Sequence, residues 1–438
     1  MGATSSRPAP QGRGIEQDND RLRGKPTMRQ STPSDFGTAL RSLAVMLLLA
    51  VVLPAQRTLV VDSANGPYYD LQPALLASQR GDTILIRPGN GSVYTCNYDI
   101  RSSRRIVAPG PVSPIVAANG HFSVPAGDLV VIDNIRFGGP QPGYGWVIDS
   151  NLGSPGILLL SRLYQGNVPG VDGGGMGGAG PGGYFIWTDC HVHYGCCPAV
   201  LAGNSNVYIL DCDMESDYIW PFFLGQQGEI FLTGNCRAWI VNTRAKGGNY
   251  SGPGTGGDAG LHALGNSQVF IGGRSSFIGG TWQSNVGTER NTGIWLGDPG
   301  VIAPTDLVVL DPLTISNTAR YTQGHEIIHE MPVVSPGDAI RGQSQRIALV
   351  GPTQSVMALF VSLMTPRPPI VTDMGDIWLD PATTMLLGAG AVDTRRDLVL
   401  NTTIPNWLPV GEVILYQAIS LSQQNMFELS PPGFAVVQ

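Results

Sequence analysis

Four segments of this chain are written on one plan. "VVIDNIRF" (130–137), "FIWTDCHV" (185–192), "VYILDCDM" (207–214) and "WIVNTRAK" (239–246) each place three apolar residues before a polar pair and a polar/apolar alternation. "VFIGGRSSF" (269–277) is a weaker copy. Asp189 to Asp211 is a step of 22 residues, Asp211 to Asn242 one of 31, and Asn242 to Gly272 one of 30. A β-core that returns at roughly 20 to 30 residues is a solenoid signature, because one such unit cannot bury its apolar face alone. No helix is written inside the repeat, so the expected solenoid is made of β-strands. The unequal steps are then loops of different length at the turns. The glycine-rich stretches 170–183 and 247–260 fit that reading, and neither is followed by the helix a phosphate cradle needs.

Composition agrees. Glycine (58) and proline (34) exceed a fifth of the 438 residues, hydrophobics make up 42% and charged residues only 13%. Such a chain is too apolar to be disordered and too rich in helix breakers to be helical. Its length suits one long repeat domain and a smaller one. A net charge of −7 offers no basic footprint, which argues against a nucleic-acid partner.

A solenoid's first coil exposes unpaired backbone and needs a cap. "DLQPALLASQRGDTILIRPG" (70–89) supplies one: Leu71, Ala74, Leu75 and Ala77 recur at helical spacing, Gly81-Asp82 breaks the helix, and Thr83–Ile86 follows as a β-run. With Tyr94 in "GSVYT", the stretch resembles the "IQ-A…A-GD-I-V-PG-Y" opening of pectin-lyase-like right-handed parallel β-helix proteins. Pro73 departs from that pattern but lies in the first turn, where proline is tolerated. The resemblance covers about residues 58 to 320 and implies a right-handed parallel β-helix with an N-terminal capping helix. It is silent about activity. Sugar-cleaving members of that family carry acidic and basic groups on a strand face, but their Asn-Thr-Asp, Asp-Asp and Gly-His-Gly motifs are absent here; "NTR" (242–244) and "DCD" (211–213) are the nearest approaches.

Two regions flank the repeats. The eleven-residue apolar run "LAVMLLLAVVL" (43–53) follows Arg29 and Arg41 and precedes Pro54-Ala55-Gln56. It is short for a membrane span and suits a signal-peptide core, so residues 1–55 read as an export region, with either Met28 as the true start or a long n-region ahead of the core. "MGATSS" fits a myristoylation pattern, which conflicts with an export signal. The expected location is extracellular, periplasmic or cell-surface, with no transmembrane segment in the mature chain. The repeats should occupy 56–330. After about Met331 the texture changes to strands separated by Pro and Gly, from "PVVSPGDAIRGQSQRIALVG" to "GEVILYQAISLS", and 331–438 reads as a small antiparallel β-sandwich. It resembles C-terminal sandwich domains found behind β-helices in large exported bacterial proteins.

Stacking the repeats defines the candidate site. If Asp189, Asp211 and Asn242 are equivalent, alternation turns Asp189, His191 and His193 outward, with Cys190 and Val192 inward. On the next coil Asp211, Asp213, Glu215 and Asp217 face out and Cys212 and Met214 face in. On the third, Asn242, Arg244 and Lys246 face out. The outer face then shows His191–Asp213–Arg244 as one column and His193–Glu215–Lys246 as the next. Asp211, Asp213, His191 and Arg244 are the candidate catalytic residues; Asp189, His193, Glu215 and Lys246 are the candidate ligand-binding residues. No cofactor is required, and Ca²⁺ is the one cation the Asp189/Asp211/Asp213 face suggests. The competing reading of the same face is a solvated scaffold whose opposite charges pair across coils.

Other motifs are weaker. "HEIIH" (325–329) would bind zinc only on a helix, and Gly324, Ile327-Ile328 and Pro332 favour a strand, on which the histidines lie about 13 Å apart at ~3.3 Å per residue. "CHVHYGCC" (190–197) splits its Cys and His ligands between two faces, so no metal centre is assigned. Aromatics at Tyr144, Trp146, Tyr218–Phe223, Trp282 and Trp295 either plug loops onto the solenoid or stack on sugars. Six cysteines in an exported chain permit local disulfides, and Cys190 with Cys212 should stack as inward neighbours. Two functions stand: an exported structural or adhesive β-helix that binds glycan or a cell-envelope surface, and a polysaccharide lyase or glycoside hydrolase acting on an acidic polysaccharide.

Overall fold

The computed structural model describes residues 56–89, 93–138, 148–150, 156–165, 176–179, 182–194, 198–216, 228–249, 259–284, 287–290, 292–297, 307–314, 320–322, 324–423 and 426–438. Residues 1–55, with the apolar run 43–53, lie outside them, as do Tyr144, Trp146, Cys196, Cys197, Asp217 to Phe223 and most of both glycine-rich loops. Gln56–Gln438 form one compact unit.

The repeats wind into a parallel β-helix. One sheet has eleven strands, all parallel, running from Thr58–Val61 through Leu129–Asp133, Tyr184–Thr188 and Arg237–Val241 to His325–Ile328. We call it the docking sheet. A second sheet of fifteen strands contains Tyr164–Gln165, His191–Tyr194, Asp213–Ser216, Arg244–Lys246 and Ser276–Ile278 as consecutive neighbours; we call this run the ladder wall. The same sheet also carries a third wall, with Val200–Gly203, Gly228–Thr233 and Ala259–Ala263 stacked in order. Each coil therefore lays down three strands facing a shared core. Val130, Leu158, Phe185, Val207, Ala238 and Val269 line one inward column and are fully buried.

Each repeat read from the sequence as one β-run is two strands meeting at a corner. Tyr184–Thr188 belongs to the docking sheet and His191–Tyr194 to the ladder wall. Between them Asp189 sits at φ 52°, in the left-handed region. Asn134, Arg162, Asp211 and Asn242 hold the same position on other coils at φ 49–56°, and Gly273 follows at 62°. A left-handed residue reverses the alternation of side chains, so Asp189, Asp211 and Asn242 do not continue the strands that follow them. Side-chain hydrogen bonds offset the strain. Asn134 donates to the Ala108 and Gly110 carbonyls at 2.8 and 2.7 Å, and Asn242 Nδ2 donates to Asp211 at 3.0 Å. At Gly273 a Cβ would stand 2.2 Å from Asn242 Oδ1, so a larger residue there would have to displace that side chain, which now accepts from the Arg274 N–H.

The N-terminal end is capped as expected. Leu71–Ala77 is helical and buries Leu71 and Ala74 against the first coils. Asp70 caps it, accepting from the Leu71 N–H at 2.8 Å, and the same carboxylate accepts from the Thr95 N–H at 2.7 Å. His325–Ile328 is the last strand of the docking sheet, not a helix, so the zinc motif has no helical face.

Antiparallel strands follow from Val333. Val333–Pro336, Ser344–Val350 and Asp397–Thr403 form one sheet; Met385–Ala391, Val356–Leu363, Val413–Leu421 and Phe427–Leu429 form another, with Gly433–Val436 paired to Val413–Leu421. They share a core of Ile347, Leu349, Met357, Leu359, Tyr416 and Ala418. This segment lies on the outer face of the docking sheet. Val131, Leu159, Ile186, Tyr208 and Trp239 form an outward column there, packed with Trp378, Leu415 and Phe434. Both faces of this sheet are thus buried over its middle strands, from Leu129–Asp133 to Arg237–Val241, which explains their continuous apolar runs, while its last strand, His325–Ile328, is exposed. Cys190 and Cys212 occupy inward positions on neighbouring coils, are buried, and are free thiols.

Phe185 is fully buried between Leu158 and Val207. Phe185→Ala should destabilise the chain by about 3–5 kcal/mol in urea unfolding, and a loss below about 1 kcal/mol would place Phe185 outside the core.

Candidate functional site

The ladder wall brings two predicted columns into register. His191 pairs with Asp213 and Asp213 with Arg244; His193 pairs with Glu215 and Glu215 with Lys246. The inward residues between them, Val192, Met214 and Ala245, are fully buried. The first column extends downward through Tyr164 and Arg136 and upward to Ser276. Parallel stacking about 4.8 Å apart places like positions in contact along the wall.

The contacts within these columns decide their chemistry. Arg244 Nη1 lies between two carboxylates, 2.8 Å from Asp213 and 2.9 Å from Glu215, and Lys246 Nζ binds the other Glu215 oxygen. Burial pushes the Glu215 carboxyl up, but Lys246 and Arg244 outweigh it and hold it below the usual carboxylate value. For Arg244, partial burial lowers the guanidinium and its two carboxylate partners raise it further. Glu215 and Arg244 thus favour each other's ionised forms. Tyr164 stacks flat on His191, with ring centroids 5.4 Å apart and planes 8° apart, so each ring turns a face to its neighbour and an edge to solvent. His191 Nε2 stands 4.0 Å from Asp189.

Asp211 and Asp189 do not join that wall. Both sit at the corner and line a cleft of about 250 Å³ against the C-terminal segment, with Arg162, Ser335, Asp338 and Gln438 among its other walls. Asp211 Oδ1 accepts from Ser335 Oγ at 2.7 Å. Asp213, two residues on, is on the ladder wall and bound to Arg244. Asp189, Asp211 and Asp213 therefore form no common face. Among the described residues no three His, Cys, Asp or Glu side chains gather closely enough to hold a metal ion.

Sequence reasoning missed the polar seam between the coils and the C-terminal segment. Buried Asp311 takes Arg396 in a two-pronged pair at 2.9 Å on each oxygen. Asp376 accepts from Tyr208 Oη and Arg237 Nη1, both at 2.7 Å. Arg105 Nη2 reaches both oxygens of Glu412 at 3.1 and 3.2 Å. Tyr208 stacks on Trp239 at 4.6 Å and 2°, and Trp378 meets Tyr208 edge-on at 5.3 Å. A signal did exist: outward positions of the repeats carry Tyr208, Trp239 and Phe270, which a solvated face would not.

No family profile matches the chain, and no curated protein matches it. Among solved structures it is similar to the full-length tailspike protein 2 of Escherichia coli O157:H7 bacteriophage CAB120. The TM-score is 0.32 and the identity 11%, over 86% of this chain and 68% of that one. No helix among the described residues is long and apolar enough to cross a membrane.

The seam and the ladder should respond differently to charge removal. Asp213→Asn should cost about 0–1 kcal/mol, since both partners are over a third exposed. Asp311→Asn leaves the Arg396 charge buried and should cost about 3–5 kcal/mol. Equal losses in thermal or urea unfolding would contradict this assignment.

Proposed function

We propose that the chain is an exported structural or adhesive β-helix module that binds polysaccharide along its ladder wall. The observation that carries this reading is the internal pairing of the wall. Arg244 is held by Asp213 and Glu215, and Glu215 by Lys246. A general acid needs a carboxyl that stays protonated at working pH, and a general base needs one free to take a proton. Glu215 is held ionised and tied to two cations, which suits neither task. What the wall does offer is a column of half-exposed donors and acceptors, Arg136, Tyr164, His191, Asp213 and Arg244, repeated at coil spacing. A linear glycan lying along the solenoid axis presents hydroxyls or carboxylates in a comparable row. The apolar run 43–53 behind Arg29 and Arg41, read as a signal-peptide core, supports placement outside the cytoplasm.

The test uses the purified mature chain and a panel of acidic and neutral polysaccharides. The expected outcome is retention of at least one polymer with no unsaturated product and no new reducing ends. Arg244→Ala should weaken that retention at least severalfold while the melting temperature stays within a few degrees, as for other exposed pairs. Accumulation of unsaturated or reducing-end products would overturn the reading in favour of a lyase or hydrolase. Retention unchanged in Arg244→Ala would remove the ladder wall as the binding surface.

A further inference from the structure

The corner between docking sheet and ladder wall is polar on successive coils: Asn134, Arg162, Asp189, Asp211 and Asn242. Its lower part is charge-matched. Arg162 grips the buried Asp133 through Nε and Nη2, with Asp338 3.9 Å away. Its upper part is not. Asp189 and Asp211 hold the same corner position on neighbouring coils, about 4.8 Å apart along the stack, and among the described residues neither forms an ion pair with an arginine or lysine. Both line the cleft closed by residues 335–339 of the C-terminal segment.

The groups facing this pair among the described residues are few. From the coil below come Arg162, which grips Asp133, and Tyr164, while His191, on the same coil as Asp189, stands 4.0 Å from it. Asn242, from the coil above, donates to Asp211. The C-terminal segment contributes Ser335, which donates to Asp211, together with Asp338 and the terminal residue Gln438 on the cleft wall. Asp213 and Arg244 satisfy each other on the ladder wall. Asp211 Oδ1 already accepts two hydrogen bonds. Two neighbouring carboxylates in a half-buried cleft repel when both are ionised and share a proton when one is not.

We propose that the Asp189–Asp211 stack is a proton-operated clasp: one proton held by the pair closes the corner against the 335–339 segment, and loss of that proton lets the segment lift. The direction of the effect follows from where the carboxyls sit. Burial pushes Asp211 up to about 6, against the opposing hydrogen bonds from Ser335 and Asn242 and with Asp189 adding to the rise. Burial likewise raises Asp189, with Asp338 adding to the rise and His191 and Arg162 only partly offsetting it. The folded state therefore holds more protons than the unfolded chain above the ordinary carboxyl value of 3.8. The stabilisation is fully present below that value and is lost as pH rises through about 6. Asp133, also raised to about 6 by burial despite Arg162, contributes a pH dependence of the same sign that is common to the variants below.

Hydrogen exchange on the full chain tests the clasp, with protection corrected for intrinsic rates. Between about pH 5 and about pH 7.5, amide protection over 333–339 should fall about tenfold or more in the unsubstituted chain, one unit of proton affinity being a factor of ten. Protection over 207–210, in the docking sheet, should not fall. Asp211→Asn, neutral at both pH values, should keep most of the protection at the higher pH. Asp189→Asn removes the like charge but leaves Asp211 buried, so it should diminish the drop without abolishing it, and it serves if the first variant fails to fold. Asp213→Asn should retain the full drop. Unchanged protection in the unsubstituted chain, or an undiminished drop in both corner variants, would overturn the proposal.

Discussion

Parallel backbone pairing between coils, held in one register over eleven strands, is the constraint on which the rest of this structure depends. Backbone groups must be paired when buried, and here each coil satisfies the next. Because the register does not slip, every side chain meets its counterpart one coil away. Columns follow without further instruction. Val130 to Val269 becomes a core column, Tyr208–Trp239–Phe270 an aromatic stack, and His191–Asp213–Arg244 a ladder of charge. The same rule stacks like charges, and the Asp189–Asp211 corner is where that occurs.

The corner residue converts a linear repeat into a coil. One left-handed residue per turn changes the direction of the chain and resets which side chains point outward. Asp133, before the corner, faces the seam, whereas Arg136, after it, faces solvent on the ladder wall. The middle strands of the docking sheet are consequently buried on both sides, by the solenoid core within and by Trp378, Leu415 and Phe434 without. That double burial fixes the C-terminal segment on the coils, and Arg396–Asp311, Arg237–Asp376 and Arg105–Glu412 orient it. Removing one partner of such a buried pair costs far more than the pair contributes, so these contacts set orientation more than affinity.

Much of this architecture was legible in the sequence. The recurring apolar triplets gave the parallel solenoid, the Leu71–Ala77 spacing gave its capping helix, and alternation after the corner put His191, Asp213 and Arg244 in one column. The corner itself was hidden, because Asp and Asn at a left-handed position look the same as Asp and Asn on a strand face. Asp189 and Asp211 were therefore read one wall away from where they lie. The seam was hidden for a different reason. A continuous run such as Tyr184–Thr188 signals burial on both faces but does not say which part of the chain, more than a hundred residues on, supplies the cover. Arg237 and Asp376 form a 2.7 Å contact across 139 residues, with no local pattern to announce it.

Short-range cross-linking of register partners tests the central claim most directly. In the chain carrying His191→Cys and Asp213→Cys, the two exposed thiols should lie about 5 Å apart at Cα, within reach of a short bis-thiol reagent. The account predicts rapid intramolecular cross-linking of this pair in the folded chain. It predicts none for His191→Cys with Met214→Cys, because Met214 points into the core on the same coil. Efficient cross-linking of the Met214 pair, or failure of the Asp213 pair in a folded chain, would contradict the register and every column built on it.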